Sequence, residues 1–299
     1  MISVASIVLY MSLAEQILIG PGTQPPEFEI YIPWRGAEGN VTGVLNCSLP
    51  EVPREVSSLR IVENYITEAE GLAIAREVFG MTGDLEISRG SEPYSEMGFA
   101  VVGDGILTFW YSGVVEYSRG SEISAGLLPS FSEAKEIADA FLKRLGDYGL
   151  LPKSSQVQIE FSEMEYSVYY GTEKEEPRPV LISVYYRVEY LGRPLVGSAG
   201  INMEVGGDGE IFSFSGEWWN VKPYRSVEIT VSPEEALEKL GSNMPVLRGE
   251  IESVDVNRFE LGYFFLPCVE EQEEIMPVYV FDTSINGDRY LIYAPATNT

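Results

Sequence analysis

The feature that most constrains the fold is a helix-start signature that occurs three times, each time ahead of strand-like sequence. The signatures are Thr67–Glu70, Ser130–Glu133 and Ser232–Glu235. In each, the hydroxyl can accept a hydrogen bond from the amide three positions on, while the acid there reaches back to the cap amide. Proline at 233 is tolerated because the first helical position needs no N–H donor. The chain is therefore predicted to form three capped helices.

The second helix has the clearest apolar face. Its apolar residues recur at the spacing of one side of an α-helix, and such a stripe is buried against another layer. They are Ala134, Ile137, Ala138, Phe141, Leu142 and Leu145.

Each helix is followed by alternating sequence with a tight turn, at Asp104-Gly105, Asp208-Gly209 and Asn286-Gly287. Asp-Gly and Asn-Gly pairs favour two-residue hairpins because both positions tolerate positive φ. We therefore predict an α+β fold of repeated units, each with one amphipathic helix packed on a curved antiparallel sheet (helix plus β-meander). The helices would cover one face of the sheet, leaving the other for water or a partner.

The helix starts are unequally spaced, which predicts three divergent units at 56–128, 129–225 and 226–299, the last two forming one domain. Residues 15–55 are dense in Gly and Pro, which predicts a linker or a wrapping arm with brief strand-like stretches such as 28–32.

Residues 1–14 are predicted to be a signal peptide, because an apolar run ends in the small-x-small pattern Ser12-Leu13-Ala14. The alternatives are a buried first element or an uncleaved anchor extending to Ile19. Asn40 and Asn46 begin N-glycosylation sequons. Together these features favour an extracytoplasmic location, secreted or anchored at the outer face of the membrane.

The chain has two cysteines, Cys47 and Cys268. Either they pair after export, or both are small buried apolar residues. Cys268 precedes an acidic run at 270–274, where negative charge would raise the pKa of the thiol and suppress its nucleophilicity. That run also lacks the spacing of a calcium loop, so we predict no metal site there.

Composition excludes several function classes. The 46 acids and 20 bases give a net charge of −26, which disfavours nucleic acid and anionic membrane surfaces. The chain has no histidine, which removes Ser-His-Asp triads, Cys-His dyads and HExxH metalloproteases. We predict no catalytic residue, no metal and no cofactor.

The candidate binding residues are Glu217, Trp218, Trp219 and Tyr224. Adjacent tryptophans on a strand point to opposite faces, so one of the two is exposed beside Tyr224 as a binding hot spot, unless both pack in the core across a bend after Gly216.

A second group of candidates would suit a glycosidase or a carbohydrate-binding protein. It comprises Glu160, Glu163 and Glu165 with tyrosines at 166, 169 and 170. Strand alternation places Glu163 and Glu165 on the same face, and a glycosidase needs two opposed carboxylates. The alternative is that these acids are solvent-facing strand residues.

Several stretches resemble the PepSY-like group of extracytoplasmic modules, and within it the YycH/YycI-like regulatory proteins. They are YYRVEYLGRPLVG at 185–197, INMEV at 201–205, DGEIFSF at 208–214, WW at 218–219, SPEEAL at 232–237, MPVYVF at 276–281 and YLIYAPA at 290–296. The resemblance implies helix-on-sheet repeats that bind or restrain another protein, such as a sensor kinase or a protease, without catalysis. It has no catalytic signature to match, so it assigns no functional residues.

The sequence therefore predicts a non-catalytic binding or regulatory protein that contacts a protein or peptide at the cell envelope through its sheet faces. Any membrane association would come only from the N-terminal segment. The alternative is a carboxylate-based glycan-processing enzyme or a carbohydrate-binding protein.

Overall fold

The structure is a computed structural model. It describes residues 27–32, 39–62, 65–90, 97–120, 126–152, 155–169, 178–218, 220–244, 251–267 and 272–298. The predicted signal peptide at 1–14, Trp219 and Cys268 lie outside the described residues.

The described residues form a sheet-rich chain with few helices. The helices are α1 (Glu68–Glu77), α2 (Phe131–Asp147), α3 (Pro233–Glu238) and α4 (Leu240–Asn243). The strands are β1 (Glu27–Ile32), β2 (Gly39–Leu45), β3 (Glu55–Ile61), β4 (Glu86–Ser88), β5 (Gly98–Val102), β6 (Gly105–Trp110), β7 (Val115–Arg119), β8 (Val157–Tyr169), β9 (Arg178–Tyr190), β10 (Arg193–Gly197), β11 (Gly200–Val205), β12 (Ile211–Glu217), β13 (Val221–Glu228), β14 (Val254–Phe265), β15 (Pro277–Ile285) and β16 (Asp288–Pro295).

The three helix starts are confirmed. Thr67, Ser130 and Ser232 each accept a hydrogen bond from the third helical amide, and the carboxylate at that position accepts one from the cap amide at 2.8 Å. Each cap thus satisfies amides that the first turn leaves without helical partners.

The three hairpins are also confirmed, as the pairs β5–β6, β11–β12 and β15–β16. Asn286 and Gly287 both have positive φ, at 52° and 90°, as a type I′ turn requires. The β5–β6 connection differs, because neither Asp104 nor Gly105 has positive φ. The β11–β12 connection forms a single 3₁₀ turn at Gly207–Gly209.

Most of the strands join one fourteen-stranded sheet, and β3 pairs with β13 in a separate two-stranded sheet. The prediction of a purely antiparallel sheet is wrong at β14, which runs parallel to both β10 and β2. A parallel pair needs a long crossover connection, and the α3–α4 segment lies between β10 and β14. The region predicted as a linker or arm contributes the β1–β2 hairpin, which pairs with β14 through β2.

The helices pack on one face of the large sheet, which we call the helix face. One core joins α1 and α2 to β5, β6, β7, β9, β11 and β12, and a second joins α3 and α4 to β14, β15 and β16. On β14, Phe259 and Leu261 belong to the second core, whereas Tyr263 and Phe265 belong to the first. Alternate strand residues share a face, so both cores lie on the same side of the sheet. The architecture is therefore α+β.

Candidate functional site

The opposite side of the sheet, which we call the free face, carries a row of polar residues. Strand register aligns them across β6, β7, β12, β11, β9 and β8, as Thr108, Glu116, Ser215, Asn202, Tyr185 and Glu163. The row follows from strand alternation, since the neighbours of Tyr185 on β9, Val184 and Tyr186, belong to the buried core.

The sheet curls toward its free face. Arg289 on β16 forms an ion pair with Glu163 on β8. The path from β8 to β16 runs through β9, β10, β14 and β15, so five strand-to-strand steps would span about 24 Å if the sheet were flat. An arginine and a glutamate side chain cannot bridge that distance together, so the two strands must approach each other across a concave surface.

The concave surface holds a cavity of about 520 Å³, which we call the cleft. Free-face residues of seven strands supply its charged and polar lining, and the segment 194–200 adds backbone and small side chains. The lining includes Ser162, Glu163, Tyr185, Arg187, Asn202, Ser215, Glu217, Arg258, Glu260, Asp282, Arg289, Leu291 and Tyr293.

The arginines of the cleft are all engaged by carboxylates. Arg289 binds Asp282 through two parallel hydrogen bonds of 2.7 Å, in addition to its pair with Glu163. Bidentate arginine–carboxylate pairs fix geometry as well as charge.

A second ion-pair network links β9 to β14. Arg187 lies 2.8 Å from Glu260 and 2.9 Å from Glu189, and Arg258 lies 3.2 Å from Glu260. The contact between Arg187 and Glu189 lacks hydrogen-bond geometry at Nε, which is buried without a hydrogen-bond partner in the described part of the chain. These pairs fix the position of β9 relative to β14, the two strands that flank β10.

Glu217 differs from the other acids of the cleft. Burial, opposed by the nearby Ser198 hydroxyl and aided by the charge of Glu116, raises the pKa of its carboxyl to about 7. Its Oε2 atom and the Oδ1 atom of Asn202 are buried without a hydrogen-bond partner among the described residues. Buried polar atoms without a partner are uncommon and require an explanation.

A smaller cavity of about 360 Å³ continues the cleft along the polar row. It is lined by Thr108, Glu116 and Ser118 and shares Asn202 and Ser215 with the cleft. The indole of Trp110 donates to Glu116 at 2.9 Å, which fixes this carboxylate at the edge of the row. The two cavities therefore form one groove across the strands.

The predicted binding residues do not converge. Trp218 is fully buried against Phe214 on the helix face, so it is a core residue and cannot contact a partner. Its ring packs over Gly216, where a Cβ atom would lie 2.1 Å from it. Tyr224 is 53% exposed, but it lies on β13 in the small sheet, beneath the guanidinium of Arg60. Of this group, Glu217 lies in the cleft.

The glycan candidates are partly brought together. The register pairs Glu163 with Tyr185 and Glu165 with Ser183, so both glutamates lie on the free face as expected. The hydroxyl of Tyr185 donates to Glu165 at 2.8 Å, and burial with this bond raises the pKa of the tyrosine. Tyr166 instead stacks on Phe131 of α2, on the helix face. It therefore cannot provide a sugar platform beside these acids.

The candidate modification sites remain predictions. Cys47 is half-buried, and burial with the charge of Asp282 raises the pKa of its thiol. Its proposed partner Cys268 is not among the described residues. Asn46 donates from Nδ2 to Oδ1 of Asn257 at 3.2 Å, and Asn40 lies in β2.

Sequence reasoning missed the charged residues of the cleft other than Glu163 and Glu217. Arg187 lies between Tyr186 and Val188 of the first core, whereas Arg258 and Arg289 each have one chain neighbour, Phe259 and Tyr290, that belongs to the second core or packs on it. A charged residue within a strand whose neighbours are apolar is a signal for the free face. Which of these charges meet across the cleft depends on the curl of the sheet, which no local pattern encodes.

The described residues lack two further features. No group of three or more Cys, Asp or Glu side chains there is arranged to hold a metal ion. None of the helices in those ranges is long and apolar enough to cross a membrane.

Comparisons with known proteins give weak likenesses. No family model matches the sequence, and no curated protein matches it. Among solved structures, the chain is similar to the Bacillus megaterium YpeB C-terminal domain, with a TM-score of 0.43 and 16% identity over 78% of this chain and 94% of that one. It is also similar to an uncharacterized protein from Eubacterium rectale, with a TM-score of 0.43 and 12% identity over 90% of each chain. Neither likeness identifies a family for this chain.

Proposed function

We propose that this protein is a non-catalytic binding module that receives a peptide segment of another protein in the cleft on its free face. The observation that carries the proposal is the cleft itself, a curved polar groove built from seven strands and stabilised by arginine–carboxylate pairs. Its volume of about 520 Å³ is within the range of ligand pockets, roughly 300–1,000 Å³. It accommodates a few side chains and not a whole protein surface.

Preorganisation supports binding. The ion pairs fix the lining side chains before a ligand arrives, so less side-chain entropy is lost when one binds. The tyrosines at 185 and 293 and the exposed Leu291 add apolar area to the polar groove, and aromatic anchors within polar surroundings are typical of recognition sites.

Site-directed photo-crosslinking in the native host tests this proposal. We would replace Leu291, which lines the cleft and is 47% exposed, with a photoreactive phenylalanine analogue. The matched control places the same analogue at Tyr148, which is 43% exposed at the end of α2 in the helix layer. Crosslinks to one protein from position 291, and none from position 148, would support the proposal. Crosslinks from position 148 alone, or from neither position, would contradict it.

A glycan-processing function is the second candidate, because two glutamates in different environments line the same cleft. Glu217 has a pKa raised to about 7, as a general acid requires, whereas Glu163 is paired with Arg289. Assay of polysaccharide hydrolysis tests it. Activity lost in Glu217→Gln would favour the enzyme, and the absence of hydrolysis and of glycan-array binding would remove it.

We also propose that the protein acts outside the cytoplasm, in the manner of PepSY-like and YycH/YycI-like modules. The apolar segment at 1–14 and the sequons at Asn40 and Asn46 support this location. Intact-mass measurement with and without reduction, on protein from its native host, tests the proposal. A mass that begins near Glu15, with glycan increments or a Cys47–Cys268 bridge, would support export. A full-length, unmodified chain with two free thiols in the cytosol would contradict it.

A further inference from the structure

The charges that line the cleft leave one carboxylate without a cation. Its acids are Glu163, Glu217, Glu260 and Asp282, and its bases are Arg187, Arg258 and Arg289. Each base is in contact with at least one of the other three acids. Within the described part of the chain, no cation pairs with Glu217. A half-buried carboxylate with no counter-charge is costly, so it either takes up a proton or pairs with a cation, and a cation for Glu217 would have to come from a ligand.

Two residues in neighbouring register positions here each carry a hydrogen-bond acceptor that has no donor within the described ranges. The register pairs Asn202 with Ser215 and Gly200 with Glu217, so Asn202 and Glu217 are diagonal neighbours on adjacent strands. Diagonal pairs are about 7–8 Å apart at Cα. The buried Oδ1 of Asn202 and Oε2 of Glu217 both lack donors among the residues that the structure describes. Gly200 is paired with Glu217 and has no side chain, so the volume that a side chain at position 200 would occupy is left open.

We propose that this part of the cleft binds a lysine side chain of the inserted segment, with the ammonium group donating to Glu217 and Asn202. This inference rests on the proposed binding function. An ammonium group is compact and directs three donors to separate acceptors, whereas a guanidinium prefers both oxygens of one carboxylate in a planar fork. The acceptors here belong to two different side chains, which suits the ammonium.

The net charge of the protein and the ionisation of Glu217 both favour binding of a cationic segment. The net charge of −26 attracts cationic segments and accelerates their encounter with the protein. The carboxyl of Glu217, with a pKa of about 7, must ionise to bind a cation, whereas the lysine stays charged throughout, with an ordinary pKa near 10.4. Affinity is therefore expected to rise as pH rises through 7.

The probe is an acetylated, amidated decapeptide of alternating lysine and serine, and its control is the same peptide with every lysine Nε-acetylated. Binding to the full chain would be measured by calorimetry at pH 8 and pH 6. The test variant is Glu217→Gln, which keeps the shape of the side chain. The matched control is Glu204→Gln, which removes the same charge on the same face; Glu204 bonds to Ser213 and does not line the cleft.

The proposal predicts that Glu217→Gln and acetylation of the probe each weaken binding at least about tenfold at pH 8, or 1.4 kcal/mol. The affinity of Glu204→Gln for the probe stays within about twofold of the wild-type affinity, because Glu204 contributes only a screened charge. Wild-type affinity falls about tenfold from pH 8 to pH 6, in proportion to the ionised fraction, and the affinity of Glu217→Gln does not change. An arginine version of the probe binds more weakly than the lysine version.

Equal losses in the two glutamine variants, equal binding of the acetylated probe, or tighter binding of the arginine probe would overturn the lysine assignment. The photo-crosslink at position 291 separates this failure from a failure of the proposed function. If that crosslink forms while the lysine probe fails, only the ligand class is wrong. If the crosslink is also absent, the binding function itself is contradicted.

Discussion

The two faces of the large sheet are built by the same strands but differ in what they do. On β12, Phe214 is 1% exposed and packs against Phe79, Phe141 and Trp218 on the helix face. The next residue, Ser215, lies in the groove on the free face. Stability therefore resides mainly on one face, and recognition is proposed for the other.

A polar face of a sheet can be held by contacts as specific as those of an apolar face. The helix face is held by burial of apolar area, which is non-directional. The free face is held by directional contacts such as Arg289 with Asp282 and Arg187 with Glu260. Substitutions should thus affect stability strongly on one face and binding on the other.

The largest effect is expected from Phe214→Ala. Loss of a buried aromatic ring removes its transfer energy and leaves a cavity, at a cost of about 3–5 kcal/mol. The matched control, Ser215→Ala on the same strand, should stay within about 0.5 kcal/mol. Chemical denaturation of both variants measures the difference. Similar losses in the two variants would show that the faces do not differ in the way described.

Arg289→Met is expected to have the next largest effect. It leaves Asp282, whose side chain is 17% exposed, and Glu163 without their shared cation. For a partly buried pair the expected loss is about 1–2 kcal/mol, between the values for surface and buried ion pairs. Arg54→Met is the control, since Arg54 is 84% exposed in its pair with Glu228, and it should cost less than about 0.5 kcal/mol. A loss in Arg289→Met no greater than in the control would mean that this ion pair does not hold the curl.

Ser130→Ala tests the helix layer without touching the core. It removes the cap hydroxyl of α2 that accepts from the Glu133 amide, and caps of this kind contribute about 1 kcal/mol. The pKa of the Glu133 carboxyl, now lowered by its bonds to Ser130, should move back toward its ordinary value, which NMR titration would detect. Ser118→Ala on the exposed part of β7 is the control and should leave both quantities unchanged.

The smallest expected effect is the pH dependence of Glu217→Gln. Because the folded pKa of Glu217 is raised to about 7, the folded state binds the proton more tightly than the unfolded state, and stability falls as pH rises from about 4.5 to 7. The variant removes this loss. The free energy of unfolding of the variant should equal that of wild type at pH 4. At pH 8 it should exceed the wild-type value by about 1 kcal/mol or less, since partial exposure screens the carboxylate. Unfolding midpoints that differ equally at both pH values would contradict this origin.

Local sequence patterns predicted the structural features that depend on residues adjacent in the sequence. The caps at Thr67, Ser130 and Ser232 and the turn at Asn286 each follow from a few adjacent residues. The parallel pairing of β14 was missed because it depends on a crossover of more than fifty residues from β10.

The site was predicted less well than the fold. Alternation placed Glu163 and Glu165 on one face, as observed, but it could not decide whether Trp218 is buried. The space above Gly216 decides it, because the ring of Trp218 lies where a Cβ atom would be. The ion pair of Arg289 with Glu163 joins residues 126 positions apart in the chain, and only the curl of the sheet brings them together.

The most direct test measures how tightly the partner segment that crosslinks at position 291 binds to three proteins. These are wild type, Ser215→Trp and Lys222→Trp. Ser215 lies where the two cavities meet, so tryptophan there fills the groove, whereas Lys222 is exposed on β13. We expect Ser215→Trp to lose at least about tenfold in affinity, or 1.4 kcal/mol, with an unchanged denaturation midpoint, and we expect Lys222→Trp to bind as wild type does. Unchanged affinity in Ser215→Trp would contradict the assignment of recognition to the free face.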